Sequence, residues 1–205
     1  MKSSKSISGL KVDILDKSKD LFQRFGYHKT TLTDIAKSVG KVKTAVYYYF
    51  SGKEEIFAQL VEKEADSFFT KLQNEVEKAE SPIDQLEKYV DTRIELMQKL
   101  SSRYSFLKQE FFELMPLVEE NRAEAHQKEI AFIESIIAEG ISQNLISSDV
   151  TKGSLERNSR FTAEMLVNSL KGLEIQMYVT DKLLIDTKNM ASFRSYILYG
   201  AITKN

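Results

Sequence analysis

Cysteine is absent from the 205 residues, which excludes disulfides, thiolate metal sites and thiol nucleophiles. Histidine occurs only as His28 and His126. Two imidazoles do not make a His-rich metal centre, so neither a metal nor another cofactor is expected. No apolar run approaches the ~20 residues that cross a bilayer, and the polar start MKSSKSISG lacks the hydrophobic segment of a signal peptide. The expected compartment is the cytoplasm, with no membrane partner. Glycine and proline are scarce, at 8 and 2 residues, and the alternating pattern of half-buried strands is nearly absent.

Helical spacing fills the chain instead. Ile14, Leu15, Ser18, Leu21, Phe22 and Phe25 form one stripe, stopped by Gly26, a residue that accepts the left-handed conformation common just past a helix. Phe57, Leu60, Val61, Phe68, Leu72 and Val76 continue a second stripe over about 53–79. Ser81 and Pro82 read as an N-cap followed by proline at the first helical position, opening a helix that carries Leu86, Val90, Ile94 and Met97. A break is expected at Met115–Pro116, because proline removes a backbone donor. Ile130, Ile133, Ile137 and Ile141 line the next helix, and two more follow over about 153–180 and 187–203. The fold class is therefore all-α, with about nine helices.

The formal net charge of −1 conceals an asymmetry. Residues 1–53 hold eleven Lys or Arg against four Asp, a formal +7, which leaves −8 for the remainder. A basic first quarter joined to an acidic remainder points to a polyanion as partner of the first quarter, although a basic solvated face is the other reading of the same lysines.

Local order within that quarter decides between them. In TTLTDIAKSVGKVKTAVYYYF a short amphipathic segment runs from Thr33, a suitable N-cap, to Val39 and is broken by Gly40. A second short helix begins near Lys43. On propensity alone Val46–Phe50 also suits a strand, but as a helix it places Val46 and Phe50, four apart, on the inner face. Three adjacent tyrosines then fan around the helix and cannot all enter one core. Two short helices joined by a glycine-containing turn make a helix-turn-helix, which lays its second helix in the DNA major groove. Lys43, Thr44, Ala45 and Tyr48 would face that groove, where small side chains approach base edges closely.

The stretch from about Ile14 to Leu60, with ILDKSKDLFQRFGYHKTTLTDIAKSVG, then YYYF, then KEEIF, resembles the DNA-binding region of the TetR family of transcriptional regulators. The resemblance covers about a quarter of the chain, and its pieces occur in order at the expected separations. It implies an N-terminal three-helix domain with the helix-turn-helix (1–53), followed by a larger helical bundle for ligand binding and dimerisation (54–205). It also implies DNA contacts from Thr31 or Thr33, from Lys43, Thr44, Ala45, Tyr47 and Tyr48, and from Tyr49 and Lys53 beside the backbone. One departure lies in the turn. Lys41 and Val42 stand where the family has an apolar residue and then a serine-like cap, which makes Lys41 an extra candidate phosphate contact.

In the larger region the family arranges its helices around a cavity, which makes Phe68, Met97, Phe106, Phe111, Met115, Phe132 and Met165 candidate ligand contacts. Core packing is the other reading of each, and spacing does not separate the two. His126, on the polar stretch ENRAEAHQKE, reads as a surface residue. The last two helices carry apolar stripes, Leu166, Leu170, Leu173 and Met177 on one and Phe193, Ile197 and Ala201 on the other. Two copies of such a pair can form a four-helix bundle across a two-fold axis. The expected function is a dimeric regulator, usually a repressor in this family, that binds a palindromic operator and releases it to an apolar or amphipathic small-molecule effector. An effector-independent architectural DNA binder is the alternative. A helical enzyme finds no supporting constellation in the chain.

Overall fold

The computed structural model describes residues 3–104, 109–147, 155–179 and 189–201. Among them are eight helices: α1 (Ser3–Phe25), α2 (Leu32–Ser38), α3 (Lys43–Tyr47), α4 (Lys53–Val76), α5 (Pro82–Arg103), α6 (Phe111–Ser142), α7 (Leu155–Val179) and α8 (Met190–Ala201). The all-α expectation holds.

Most helix ends follow from local chemistry. Gly26 ends α1 at φ 85° and Gly40 ends the α2 region at φ 65°, both in the left-handed region that a Cβ disfavours. Ser81 caps α5 by accepting from the Asp84 N–H at 3.2 Å, and Pro82 supplies a first helical residue whose missing N–H has no intrahelical partner to lose.

Two expectations are corrected. The N-cap of α2 is Thr31, not Thr33. A capping box needs an acceptor side chain three residues on; Thr31 has Asp34 there, whereas Thr33 would have Ala36. The break at Met115–Pro116 does not occur, because α6 runs through Pro116. Pro116 removes one hydrogen bond near the start of the helix. The neighbouring Leu114, Leu117 and Val118 pack into a core, and their burial outweighs that loss.

The chain divides into two compact units: residues 1–65 with 102–123, and residues 66–101 with 124–205. In the first, Ile14, Phe22, Ile35, Val46, Phe50 and Phe57 form the buried centre. In the second, Leu72, Leu86, Tyr89, Ile94, Ile133 and Leu166 do so. No helix of the described residues is long and apolar enough to cross a membrane.

Candidate nucleic-acid interface

The candidate interface is built on α3, which is anchored to the core beneath it. Val46 and Phe50 are fully buried in the first unit, as their spacing of four requires. The residues between and before them point away from that core: Lys41, Lys43, Thr44, Tyr47 and Tyr48 are exposed and Ala45 is half-buried. The three phenols separate as a helix must separate them. Tyr48 is 73% exposed, Tyr47 is half exposed, and Tyr49 packs partly against the core. The Lys43 ammonium lies 5.5 Å from the centre of the Tyr47 ring, one helical turn on, and the Tyr48 and Tyr49 rings meet edge to face at 5.0 Å. This surface therefore carries cations, hydroxyls and flat rings together.

Val42 is the N-cap of α3 and offers no side-chain hydrogen bond there. It is also exposed, so the departure noted in the turn leaves an apolar side chain and the uncapped N–H groups of α3 on the same surface.

Thr31 and Thr33 are both exposed at the start of α2. The Thr31 hydroxyl is committed to its cap. It accepts from the Asp34 N–H at 3.2 Å and donates to Asp34 Oδ2 at 2.6 Å, while the Thr31 N–H donates to the same oxygen at 3.0 Å. The hydrogen bonds from the Thr31 side chain and backbone hold the Asp34 carboxyl below the usual carboxylate range. A lowered carboxyl pKa stabilises the fold above the ordinary carboxylate range, and that contribution is lost as the pH falls through the lowered value.

The turn Gly26–Thr30, which aims α2, is held from both sides. The Lys53 ammonium donates to the carbonyls of Tyr27 at 2.7 Å and Thr30 at 2.9 Å, and sits 4.1 Å from the centre of the Tyr27 ring. Burial pushes the Lys53 ammonium below its usual pKa, with Glu110 opposing that shift. On the other side Glu110 accepts from the N–H groups of Tyr27 at 2.6 Å and His28 at 2.9 Å, and Glu113 lies 2.7 Å from His28 Nε2. The turn thus presents its carbonyls to a cation and its N–H groups to a carboxylate. Tyr27 in turn packs on Phe57 and Phe22, with ring centres 4.9 and 5.6 Å away. Nothing local announces the Glu110 clamp, because 83 residues separate it from Tyr27 and a lone glutamate has no local signature.

Lys53→Met is expected to lower the unfolding free energy by about 1–3 kcal/mol, since two charge-assisted hydrogen bonds to a partly buried turn are lost. Urea unfolding reads this directly. Unchanged stability combined with weakened DNA binding would make Lys53 a phosphate contact instead.

The other candidate residues are dispersed. Met97 is buried in the second unit, where Phe68 and Phe132 pack against its core. Met165 is half exposed on α7 and so is set apart from them. Phe111 and Met115 are half-buried in the first unit. Phe106 lies outside the described residues, as do the side chains of Met177 and Ala201. Leu166 and Leu170 are buried within the second unit, and Leu173, Phe193 and Ile197 pack on that core. Among the described residues, the large apolar side chains that α7 leaves in solvent are Phe161, Met165 and Ile175, with Tyr196 on α8. Among the described residues no group of three His, Asp or Glu could hold a metal ion.

Comparison with known proteins places this geometry. Residues 14–60, the stretch from α1 to α4 that builds the interface, match the model for bacterial regulatory proteins of the tetR family. The HTH-type transcriptional regulator RutR of Escherichia coli is 30% identical over 95 residues, which are 46% of this chain and 44% of RutR. IcaR of Staphylococcus epidermidis, a negative transcriptional regulator of the biofilm operon icaADBC, is 45% identical over 53 residues, 26% of this chain and 29% of IcaR. The chain thus spans less than half the length of either of these relatives. A transcriptional regulator from Saccharomonospora viridis, solved in complex with choline, superimposes with a TM-score of 0.71 at 18% identity, covering 97% of this chain and 100% of that one.

Proposed function

We propose that this chain is a DNA-binding transcriptional regulator of the TetR family, whose model its residues 14–60 match, and that it is a repressor that grips a palindromic operator as a two-fold dimer and releases it to a small-molecule effector. The observation that carries the reading is the recognition surface itself: Lys43, Thr44, Tyr47 and Tyr48 stand outward over the buried pair Val46 and Phe50. Thr44 and Ala45 are small enough to approach base edges. Tyr47 and Tyr49 flank them, with hydroxyls that can donate to phosphate. Residues 1–53 read DNA in this account, and residues 54–205 bind effector and dimerise.

For the effector, the support is the apolar centre of the second unit around Met97, with Phe68 and Phe132 packed on it. The Saccharomonospora viridis regulator shares this fold and was solved with choline, a small molecule. An effector releases DNA only if it prefers the conformation that does not bind DNA, since equal affinity for both states shifts nothing.

For the dimer, the support is the outward face of α7. Phe161, Met165, Asn168, Gly172 and Ile175 are all exposed and alternate in spacing between four and three, the pattern of a helix seam that meets another helix. A dimer also supplies the second recognition helix that a single short one needs to find a site in a genome.

The test uses the sites that wild-type protein selects from a random DNA pool. Lys43→Ala is expected to relax specificity if Lys43 reads a base, or to lower the salt slope by about one if it holds a phosphate. Tyr47→Phe is expected to weaken selected and random DNA alike, by about 1.5–3 kcal/mol for a hydrogen bond to a charged group. If both variants bind both DNAs like wild type, this surface is not the reading head.

A further inference from the structure

The second unit buries a polar cluster that DNA recognition does not use. Tyr89 and Arg93 lie one turn apart on α5, Glu129 comes from α6 and Glu174 from α7. The Arg93 guanidinium is 3% exposed and both glutamates are buried. Arg93 Nε donates to Glu129 Oε1 at 2.7 Å, and Nη2 lies 2.7 Å from Glu174 Oε1. The Tyr89 hydroxyl donates to the same Glu129 oxygen at 2.6 Å. Arg93 Nη1 has no hydrogen-bond partner although it is buried. Burial alone would lower the Arg93 pKa, but Glu129 and Glu174 outweigh it and keep the guanidinium charged; burial pushes the Tyr89 hydroxyl well up, so it stays neutral.

A buried N–H without an acceptor is costly, and native proteins rarely leave one. Apolar side chains stand one turn from the cluster on each helix: Met97 beyond Arg93, Ile133 beyond Glu129 and Leu170 before Glu174. Resting on the reading of the second unit as an effector domain, we propose that this cluster is the polar end of the effector site, and that the effector has an apolar body carrying an uncharged oxygen acceptor, such as an amide or ketone carbonyl, for Arg93 Nη1. An acid is disfavoured. Arg93 is already shared by two carboxylates, so a third would meet two like charges for one opposite one.

The test is calorimetric titration of the full-length, DNA-free protein with two probes that share one alkyl chain, octanamide and octanoate. Octanamide is expected to bind at least about tenfold more tightly, the scale of one hydrogen bond to a charged group. A triple variant, Arg93→Met with Glu129→Gln and Glu174→Gln, removes the charges together, so no carboxylate is left unpaired, and is expected to bind octanamide at least about tenfold more weakly than wild type. Three results overturn the proposal: no binding of octanamide to wild type, octanoate binding as tightly as octanamide, or an octanamide affinity that is unchanged in the triple variant. The first two need no variant to fold. Operator affinity is read separately, with and without probe. An Arg93-dependent amide preference that leaves operator affinity unchanged keeps this site and sinks the release mechanism. Release by a compound that binds the triple variant as well as wild type keeps the mechanism and sinks this site.

Discussion

Arg93→Ala is expected to lower the stability of the protein by about 3–5 kcal/mol, a large share of what a domain possesses, because it leaves buried carboxylates without their cation. Glu129 would keep the Tyr89 hydroxyl but lose the Arg93 Nε–H, and Glu174 would lose the guanidinium 2.7 Å away. The same reasoning predicts that the triple variant, with all three charges removed, is far less damaged than the single one, since breaking a buried ion pair costs more than replacing it whole. Urea unfolding of both variants against wild type measures the difference. A single variant within about 0.5 kcal/mol of wild type, the ordinary range of surface substitutions, would mean that the cluster is hydrated rather than buried.

Phe161→Glu combined with Met165→Glu is expected to convert the proposed dimer to a monomer and to weaken operator binding by orders of magnitude. Both side chains are about half exposed, so neither substitution disturbs the core of its own unit. In a dimer they would place four carboxylates in one desolvated seam. Sedimentation reads the oligomeric state, and binding to a selected operator reads the consequence. A variant that stays dimeric would remove this face of α7 from the interface, whereas a monomer with full operator affinity would remove the need for a dimer.

Much of the α2–α3 surface was legible because its signals are local. The pair Val46 and Phe50 fixes its own inner face by a spacing of four, Gly40 marks the turn by the backbone it must adopt, and Ser81–Pro82 announces a helix start within two residues. The choice between Thr31 and Thr33 as cap was legible too, but only when the cap was weighed together with Asp34 three residues on. The failure at Pro116 has a tertiary cause, since the burial of Leu114, Leu117 and Val118 is not visible from the proline.

The α7 stripe expected at a dimer seam, Leu166, Leu170 and Leu173, packs within its own unit. The helix is apolar on two sides, Leu166 and Leu170 on one and Phe161 and Met165 on another. Periodicity finds both stripes without saying which one the core takes. The buried cluster was beyond sequence reasoning altogether. Arg93, Glu129 and Glu174 come from three helices, and each alone looks like the solvated charge of an amphipathic face.

The central claim is that exposed residues of α3, carried by a two-fold dimer, read a DNA sequence. Selection of bound DNA from a random pool by the wild-type protein tests it most directly, because it reports sequence preference and symmetry together. The account predicts a palindrome whose half-sites recur at a spacing set by the helical repeat, about 10–10.5 base pairs or a multiple of it. Enrichment without two-fold symmetry would contradict the dimer, and a pool recovered without any sequence preference would contradict operator recognition and favour an architectural binder.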